Sequence, residues 1–358
     1  MRGLVDILRS EQHLKSCEYR ALLESDDESV IAYLHEQARE VADSVFGKGI
    51  FVRGLIELTN VCRNDCYYCG IRKSNSNVVR YILSTEQVLQ SCDAGYKLGF
   101  RTFVLQGGEL PRDKAQWLID LVTEIKQRWS DSAITLSLGE WPQGVYEQLR
   151  EAGADRYLLR HETHNAKHYV RLHPTEMSLE NRLQCLTWLK ELGYQVGTGI
   201  MVGSPGQTID NIVKDIEFIE QFKPEMIGLG PFVPQHDTPF GKHPAGSVET
   251  TIRLYSILRL MFPHALIPST TALNTIDSQG RIKGIMAGAN VVMPNLSPTD
   301  VRDRYALYDG KANTNAEAAE GLKLLEAQLA TIGYHIDWGR GDFSKCRMQN
   351  AEFRMLNE

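Results

Sequence analysis

The stretch Glu57-Leu-Thr-Asn-Val-Cys-Arg-Asn-Asp-Cys-Tyr-Tyr-Cys-Gly70 follows an apolar, strand-like segment and carries three cysteines, Cys62, Cys66 and Cys69. Their C-x3-C-x2-C spacing lets three thiolates surround one corner of a cubic cluster and offers no fourth thiolate. An iron–sulfur cluster that only transfers electrons normally has four cysteine ligands. Three ligands leave one iron open, and an open metal position is where chemistry takes place. The stretch therefore predicts a [4Fe–4S] cluster with a reactive iron.

Two other uses of the cysteines fit the sequence less well. Zinc sites usually pair C-x2-C units or add a histidine, and no histidine lies between His35 and His161. A disulfide framework disagrees with an odd count of seven cysteines and with an N-terminus that lacks a secretory leader. The remaining cysteines are scattered, and we expect them to behave as small buried hydrophobic side chains: Cys17, Cys92, Cys185 and Cys346.

Composition limits the classes to which the protein can belong. Its 358 residues suffice for one large domain or two small ones, with ordinary hydrophobic (42%) and charged (23%) fractions. A formal net charge of −6 argues against a nucleic-acid partner. No apolar run is long enough to cross a membrane. Because oxygen destroys an open-iron cluster, we expect a reducing, anaerobic cytoplasm.

Short apolar runs alternate with amphipathic runs along the whole chain. Strands are predicted near 51–58, 101–106, 133–138, 155–160, 195–202, 225–230, 265–271 and 288–293, with helices between them. Ser84, Ser178 and Thr208 are predicted helix N-caps, and Gly99, Gly153 and Gly193 follow helix ends. The alternation predicts an α/β fold, a (β/α)8 TIM barrel spanning 49–358 with a C-terminal helix. Residues 1–48 form a predicted N-terminal helical extension that caps the base of the barrel.

Strand parity predicts which side chains face the lumen of the barrel. Arg53, Leu55 and Glu57 share a face on the first strand, and Leu158, Arg160 and Glu162 share one on the fourth. Charged residues there indicate a polar ligand, although internal ion pairs with a structural role remain an alternative. Glycines at 197, 199 and 203, beside Met201, either make room for a bulky ligand or permit tight barrel bends.

Two glycine-rich turns follow predicted strands. Gln106-Gly-Gly-Glu109 closes the second strand, and its glycines allow the backbone to approach a ligand closely. Gly203-Ser-Pro-Gly-Gln-Thr208 opens a helix after the fifth strand, but it lacks the lysine and the spacing of a nucleotide P-loop. The Gly-Gly-Glu segment alone could be a plain turn.

The cysteine triplet, the Gly-Gly-Glu turn one βα unit later and the Gly-x-Pro-Gly-Gln-Thr turn together resemble the radical S-adenosylmethionine (SAM) family. The resemblance implies that SAM binds the open iron and is cleaved by one electron to methionine and a 5'-deoxyadenosyl radical. It also implies that Tyr68 lies near the adenine and that the Gln106–Glu109 turn receives the methionyl amine.

Longer stretches resemble the HydE family of [FeFe]-hydrogenase maturases within that superfamily. They are Ile56–Cys66, Leu136-Ser-Leu-Gly-Glu-Trp-Pro, Ala152–Thr163 with its Arg-His-Glu-Thr, Met201–Thr208, Ile267–Ala272 and Gly288–Asn295. The resemblance implies that the radical attacks the sulfur of an iron-bound cysteine complex carrying CO and CN. Cleavage of the C–S bond then leads towards the di-iron precursor of the hydrogenase active site. Implied partners are the maturases HydG and HydF and an electron donor such as ferredoxin or flavodoxin.

The HydE resemblance also assigns site residues. SAM would be held by Gln106, Gly107, Gly108, Glu109, Ser137, Glu162, Arg182 and Met201. The substrate would be contacted by Arg53, Arg160, Met226, Thr270, Thr271, Met293, Tyr305 and Tyr308. Some HydE proteins carry a second cysteine triplet near the C-terminus, but 310–321 has no cysteine here. We therefore predict a single cluster.

Three rival functions remain at this point. Methylornithine synthase, a lysine mutase of similar architecture, also needs carboxylate and ammonium contacts, and spacing alone does not exclude it. Biotin synthase would need further cysteines on inward strand positions, whereas Cys92 and Cys185 fall in predicted helices. A non-enzymatic iron–sulfur carrier would have no use for a polar, glycine-lined lumen.

Overall fold

A ring of parallel strands forms the centre of the protein, whose computed structural model describes residues 1–311 and 318–343. The strands are β1 (Gly49–Val52), β2 (Gly54–Thr59), β3 (Thr102–Gly107), β4 (Ala133–Ser137), β5 (Arg156–Leu158), β6 (Gln195–Thr198), β7 (Met201–Val202), β8 (Met226–Ile227), β9 (Gly230–Pro231), β10 (Val291–Val292) and β11 (His335–Asp337). The largest sheet has the order β2-β3-β4-β5-β6-β8, β1 lies between β10 and β11, and β7 pairs with β9.

The ring closes through a seventh segment that is too irregular to count as a strand. The Ile227 N–H donates to the Leu266 carbonyl at 3.0 Å, and residues 265–271 continue to β10 through a parallel bridge. The Leu55 N–H then donates to the Pro294 carbonyl at 2.8 Å, which returns the ring to its first strand. The predicted (β/α)8 order is therefore confirmed, with the seventh strand reduced to isolated bridges.

Helices surround the barrel. They are α1 (Arg2–Glu11), α2 (Ser16–Glu24), α3 (Glu28–Phe46), α4 (Thr85–Lys97), α5 (Ala115–Arg128), α6 (Gln143–Glu151), α7 (Ala166–Leu172), α8 (Leu179–Glu191), α9 (Ile209–Phe222), α10 (Val248–Met261), α11 (Thr271–Ile276), α12 (Gly280–Met286), α13 (Thr299–Arg302) and α14 (Ala318–Ala330). Ser84, Ser178 and Thr208 each accept a backbone N–H bond as predicted N-caps. Within the described residues, no helix has the length and apolar character of a membrane span.

The N-terminal helices lie against the outer helices of the barrel. Apolar residues of α1, α2 and α3 share one hydrophobic cluster with α9 and α10. The strand ends at the base contact another segment, residues 338–343: the Arg340 carbonyl accepts from Thr102 Oγ1 at 2.8 Å and from the Arg156 guanidinium at 2.9 Å. Local helix signals could not predict that residues 338–343 contact the base of the barrel, because Arg340 is far in sequence from both Thr102 and Arg156. The division of the chain into 1–48 and 49–358 stays a prediction.

The glycines of the fifth strand serve close packing. A Cβ added at Gly199 would lie 1.8 Å from the Gly228 carbonyl oxygen, and one at Gly197 would lie 2.7 Å from the Leu158 side chain. These glycines therefore permit neighbouring segments of the barrel to approach each other, a role distinct from the tight bends and the space for a ligand that were considered from the sequence.

The scattered cysteines are only partly as expected. Cys92 in α4 and Cys185 in α8 are buried, as predicted. Cys17 is exposed, so the prediction of a buried side chain is wrong there. It lies at the first turn of α2, where the helix presents it to solvent. Cys346 lies outside the described residues.

Candidate active site

The cysteine loop joins the C-terminal end of β2 to α4 and is fixed by hydrogen bonds in place of regular secondary structure. The Arg80 guanidinium donates bonds of 2.6–3.0 Å to the backbone carbonyls of Asn60, Ile71, Arg72 and Asn75. One cation thereby gathers both ends of the loop that carries the thiols. A loop with so many of its carbonyls engaged holds its cysteines in defined places.

The three thiols sit in a low-dielectric environment. Burial raises the pKa of Cys62 and of Cys66, and the neighbouring thiols raise that of Cys66 further. Burial also raises the pKa of Cys69, to about 12. Without a metal the thiols are therefore neutral, and a bound cation must displace their protons.

The donor set fits an iron–sulfur cluster. In the part of the chain that the structure describes, no group of three His, Cys, Asp or Glu side chains is placed to hold a single metal ion. A cubic cluster binds each thiolate at a different iron and needs a wider arrangement than one ion does. Cys62 and Cys69 face the same cavity, so a cluster held there borders it.

The Gly-Gly-Glu turn packs directly on the cysteine loop. A Cβ at Gly108 would lie 2.4 Å from the Val61 carbonyl oxygen and 2.8 Å from Cys62 Cβ, so only glycine fits. The Glu109 N–H donates to Cys62 Sγ at 3.4 Å, and its carboxylate forms an ion pair with Arg63 and accepts from Asn64 Nδ2 at 2.9 Å. Glu109 therefore supports the cysteine loop as well as lining the cavity.

A cavity of about 340 Å³ opens at the C-terminal ends of the strands. It is where such barrels place their active sites. Most of the predicted site residues line it: Cys62, Tyr68, Cys69, Gln106, Gly107, Gly108, Glu109, Ser137, Arg160, Met201, Thr270, Thr271, Met293, Tyr305 and Tyr308. The structure thus brings together residues from distant parts of the sequence.

Glu162 and Thr270 each have a buried polar atom without a hydrogen-bond partner among the described residues; Thr270 lines the cavity and Glu162 does not. Glu162 binds the Arg160 guanidinium through Oε1 at 3.0 Å, while its buried Oε2 has no such partner. The buried Oγ1 of Thr270 is also without a hydrogen-bond partner. Buried polar groups are normally satisfied, so both atoms indicate a ligand that completes them.

Arg182 supports a cavity residue through hydrogen bonds. Its Nε donates to Glu140 Oε1 at 2.6 Å, and its Nη1 donates to the backbone carbonyl of Arg160 at 2.7 Å. The guanidinium thus supports Arg160 and does not itself line the cavity. Glu140 was not assigned from the sequence, although it belongs to the Leu-Gly-Glu-Trp-Pro stretch.

Aromatic side chains border the cavity on two sides. The Tyr68 hydroxyl lies 3.2 Å from His173 Nε2, and its ring meets the imidazole edge to face at 5.5 Å. On the opposite side Gln106 Nε2 donates to the Tyr305 hydroxyl at 3.3 Å. Burial raises the pKa of Tyr68 and Tyr305, and that of Tyr308 to about 12, so all three phenols stay protonated at neutral pH.

Arg53 and Met226 lie deeper in the barrel than the cavity. Arg53 Nη1 contacts Met226 Sδ at 3.2 Å, and Nη2 donates to the Gly341 carbonyl at 3.3 Å. Burial, with the charge of Arg156, lowers the pKa of Arg53 well below its usual range. Neither residue lines the cavity. Of the two internal ion pairs considered from the sequence, Arg53–Glu57 is not formed, because Glu57 pairs with Lys311, whereas Arg160–Glu162 is formed.

Lys311 is a cavity residue that the sequence did not point to. Its ammonium forms an ion pair with Glu57, whose other oxygen accepts from Asn295 Nδ2 at 3.0 Å. The alternation of side chains along the strand predicted that Glu57 faces the lumen, but Lys311 lies in an irregular segment where no pattern predicts the direction of a side chain.

Cys66 is a predicted cluster ligand that does not line the cavity; its Sγ lies 3.7 Å from Met177 Sδ.

Comparisons with known proteins agree with this geometry. The sequence profile of the Radical SAM superfamily matches residues 56–219. The [FeFe] hydrogenase maturase subunit HydE of Thermotoga maritima is 45% identical over 278 residues, which are 78% of this chain and 79% of that protein. The 3-methylornithine synthase of Methanosarcina acetivorans is 30% identical and covers 83% of each chain.

Solved structures show the same fold. The crystal structure of methylornithine synthase (PylB) superimposes with a TM-score of 0.84 at 25% identity, covering 97% of this chain and 99% of that one. That of HydG, a maturase of the [FeFe]-hydrogenase, gives 0.80 at 18% identity over 98% and 80% of the two chains, a likeness of fold alone.

Proposed function

The chain belongs to the HydE family of radical SAM enzymes, and from this we propose that it builds the di-iron precursor of the [FeFe]-hydrogenase active site. The substrate is a mononuclear iron complex that carries CO, CN and cysteine, and the reaction breaks the cysteine C–S bond after radical attack on sulfur. One observation carries the proposal: two cluster thiols, the Arg160 guanidinium and the unpaired Thr270 hydroxyl line one cavity.

The cofactor site is assigned residue by residue. Cys62, Cys66 and Cys69 hold one [4Fe–4S] cluster, and SAM is held by Tyr68, Gln106, Gly107, Gly108, Glu109, Ser137, Glu162, Arg182 and Met201. When bound, the cluster supplies the electron that cleaves SAM to methionine and a 5'-deoxyadenosyl radical. The free oxygen of Glu162 can accept a hydrogen bond from SAM, and Arg182 contributes by supporting Arg160.

The substrate side of the cavity is both charged and dry. Arg160 offers a planar fork for a carboxylate or cyanide, and the unpaired Thr270 hydroxyl can donate beside it. Thr271, Met293, Tyr305 and Tyr308 complete this side, and we assign Arg53 and Met226, which contact each other outside the cavity lining, to the deeper end of the substrate. Apolar residues such as Leu158, Val233 and Pro268 exclude water, which a primary radical site requires.

The maturation context supports particular partners. We assign HydG as the supplier of the iron complex and HydF as its acceptor, with a ferredoxin or flavodoxin as electron donor. Because the open iron is sensitive to oxygen, we place the enzyme in an anaerobic, reducing cytoplasm. The 45% identity to a HydE subunit supports this context over the lysine mutase.

The cluster assignment is tested by reconstitution without oxygen. The protein should bind about four irons and cleave SAM under dithionite, and Cys66→Ala should lose both properties. Cys92→Ala is the matched control, because Cys92 is a buried thiol in α4, away from the loop. SAM cleavage by Cys66→Ala at the wild-type rate would refute the assignment.

The substrate assignment needs a second experiment. Wild-type enzyme is incubated with SAM and reductant, once with the HydG-derived iron complex and once with lysine. Turnover of the iron complex supports the proposal. Conversion of lysine to methylornithine would replace it with the mutase function, for which the 30% identity to 3-methylornithine synthase is the supporting observation.

A further inference from the structure

Glu162 has a backbone conformation that few residues other than glycine adopt. Its φ is 64°, and the Thr163 N–H donates across it to the His161 carbonyl at 2.8 Å, closing a three-residue turn. The Glu162 N–H donates to the Gly199 carbonyl at 3.1 Å. Such a conformation costs free energy and persists only where the surroundings impose it. The turn directs one carboxylate oxygen at Arg160 and leaves the other free.

His161, the residue before Glu162, is held from two sides. It is fully buried and its Nδ1 lies 2.9 Å from Thr198 Oγ1, while its Nε2, 3.6 Å from Asp215 Oδ1 on α9, makes no hydrogen bond within the described part of the chain. The Phe218 ring packs against the imidazole with centroids 4.7 Å apart. The imidazole is therefore clamped between β6 and α9.

Asp215 also holds the other side of the turn. It is fully buried and accepts a hydrogen bond from the His164 N–H through Oδ1. One carboxylate thus contacts residues on both sides of Glu162. Burying a carboxylate is expensive unless it is paired and hydrogen-bonded, and Asp215 Oδ2 has no hydrogen-bond partner among the described residues. None of His161, Glu162 and Asp215 lines the cavity; Glu162 is linked to it through the Arg160 guanidinium, which does.

We propose that His161 and Asp215 are positioning residues that hold Glu162 in its left-handed conformation and so present its free carboxylate oxygen to SAM. This rests on the proposed function, in which Glu162 contacts SAM. Thr198 contributes to the same positioning, because its hydroxyl holds the His161 imidazole. A purely structural role would lower stability without changing the affinity for SAM.

The test uses Thr198→Val, which removes one hydroxyl at nearly constant shape, and Asp215→Asn. SAM binding to the reconstituted protein is measured by calorimetry, together with KM and kcat of SAM cleavage and with thermal unfolding. Both variants should weaken SAM binding at least about tenfold, the worth of one hydrogen bond to a charged group, with a smaller change in kcat. Ser256→Ala is the control: it removes the hydroxyl 2.8 Å from the His35 imidazole, outside the barrel, and should leave SAM binding unchanged.

A double-mutant cycle decides whether the effect passes through Glu162. Glu162→Gln should weaken SAM binding, and Thr198→Val should then add nearly nothing to it. Additive losses, or wild-type affinity in Thr198→Val and Asp215→Asn, would overturn the positioning role while SAM cleavage by the wild type leaves the proposed function intact. A wild-type protein that binds its cluster but does not cleave SAM would overturn both.

Discussion

The ammonium of Lys311 forms an ion pair with the carboxylate of Glu57, whose side chain is only 1% exposed at the end of β2. The same ammonium donates to the Tyr305 carbonyl at 3.0 Å. The ion pair therefore connects the segment 305–311, which covers one side of the cavity, to β2. Burial lowers the pKa of Lys311, and the adjacent Glu57 charge opposes that shift.

Replacing Lys311 with methionine should destabilise the protein. Among the described residues, the variant leaves the buried Glu57 carboxylate with Asn295 as its one side-chain partner, and removing one member of a buried ion pair costs about 3–5 kcal/mol. Denaturant unfolding of the anaerobic protein measures the loss. Lys97→Met, which breaks the exposed Lys97–Asp93 pair, should cost less than about 1 kcal/mol.

The double variant Glu57→Gln/Lys311→Met separates the ion pair from simple side-chain packing. It removes the uncompensated charge, so it should recover most of the stability that Lys311→Met loses. A double variant as unstable as Lys311→Met would show that the lysine stem, and not the charge, stabilises this region.

Gly108→Ala should weaken cluster binding. The added Cβ would meet the Val61 carbonyl and Cys62 Cβ, so the cysteine loop must move. We expect reconstituted protein to hold less than about half of the wild-type iron, measured by iron analysis and electron paramagnetic resonance. Gly144→Ala in α6 is the matched control, since its Cβ meets nothing within 4 Å and should raise stability slightly. Equal iron content in the two variants would contradict this role of Gly108.

Local sequence signals predicted what local physics determines. The hydroxyls of Ser84 and Ser178 cap helices because the backbone N–H groups they satisfy lie within three residues. Gly99 and Gly153 adopt φ of 105° and 111° after helix ends for the same local reason. The order of strands followed from such signals together with apolar runs.

Contacts between distant segments could not be predicted in this way. Arg182 was assigned to SAM, yet its bond to Glu140 depends on how α8 packs beside the β4 loop. Arg340 reaches the base of the barrel from the far end of the chain. The alternation of side chains along the strand correctly predicted that Glu57 faces the lumen. It could not identify the partner of Glu57, because Lys311 lies in a segment without periodic structure.

Arg160→Leu should abolish conversion of the substrate while SAM cleavage continues. Arg160 is the cationic fork at the cavity, so product formation should fall at least about 100-fold when its bidentate contacts are lost. Because Arg160 also bonds Glu162, SAM binding should weaken, but at saturating SAM the cleavage rate without substrate should stay within about threefold of wild type. Product and 5'-deoxyadenosine are both measured by mass spectrometry.

Two comparison variants sharpen that experiment. Arg160→Lys keeps the charge but not the fork and should recover only part of the product. Arg128→Leu removes an exposed arginine on α5 and should behave as wild type. Loss of both product and SAM cleavage in Arg160→Leu would assign Arg160 to SAM binding or to folding instead, through its bond to Glu162.

The segment 305–311 should be held less firmly as pH rises. Asp309 accepts from the His236 N–H at 2.9 Å and lies 2.7 Å from His236 Nδ1. Its hydrogen bond, then its charge and that of Asp237, raise the pKa of His236 above the usual 6.5. A raised histidine pKa stabilises the fold fully below 6.5, and the benefit is lost as pH rises through the folded-state pKa.

Hydrogen exchange of this segment, corrected for the intrinsic pH dependence, measures the effect. Protection should fall as pH rises above 6.5 through the raised pKa of His236 in the wild type and should be low and flat in Asp309→Asn, because the imidazolium then has lost its main partner. Glu220→Gln, which changes the exposed His13 pair elsewhere, should keep the wild-type profile. If Asp309→Asn shows the same pH profile as the wild type, His236 does not hold the segment. In that case Lys311 and the Asp309 N–H bond to the Pro234 carbonyl, at 3.0 Å, are sufficient.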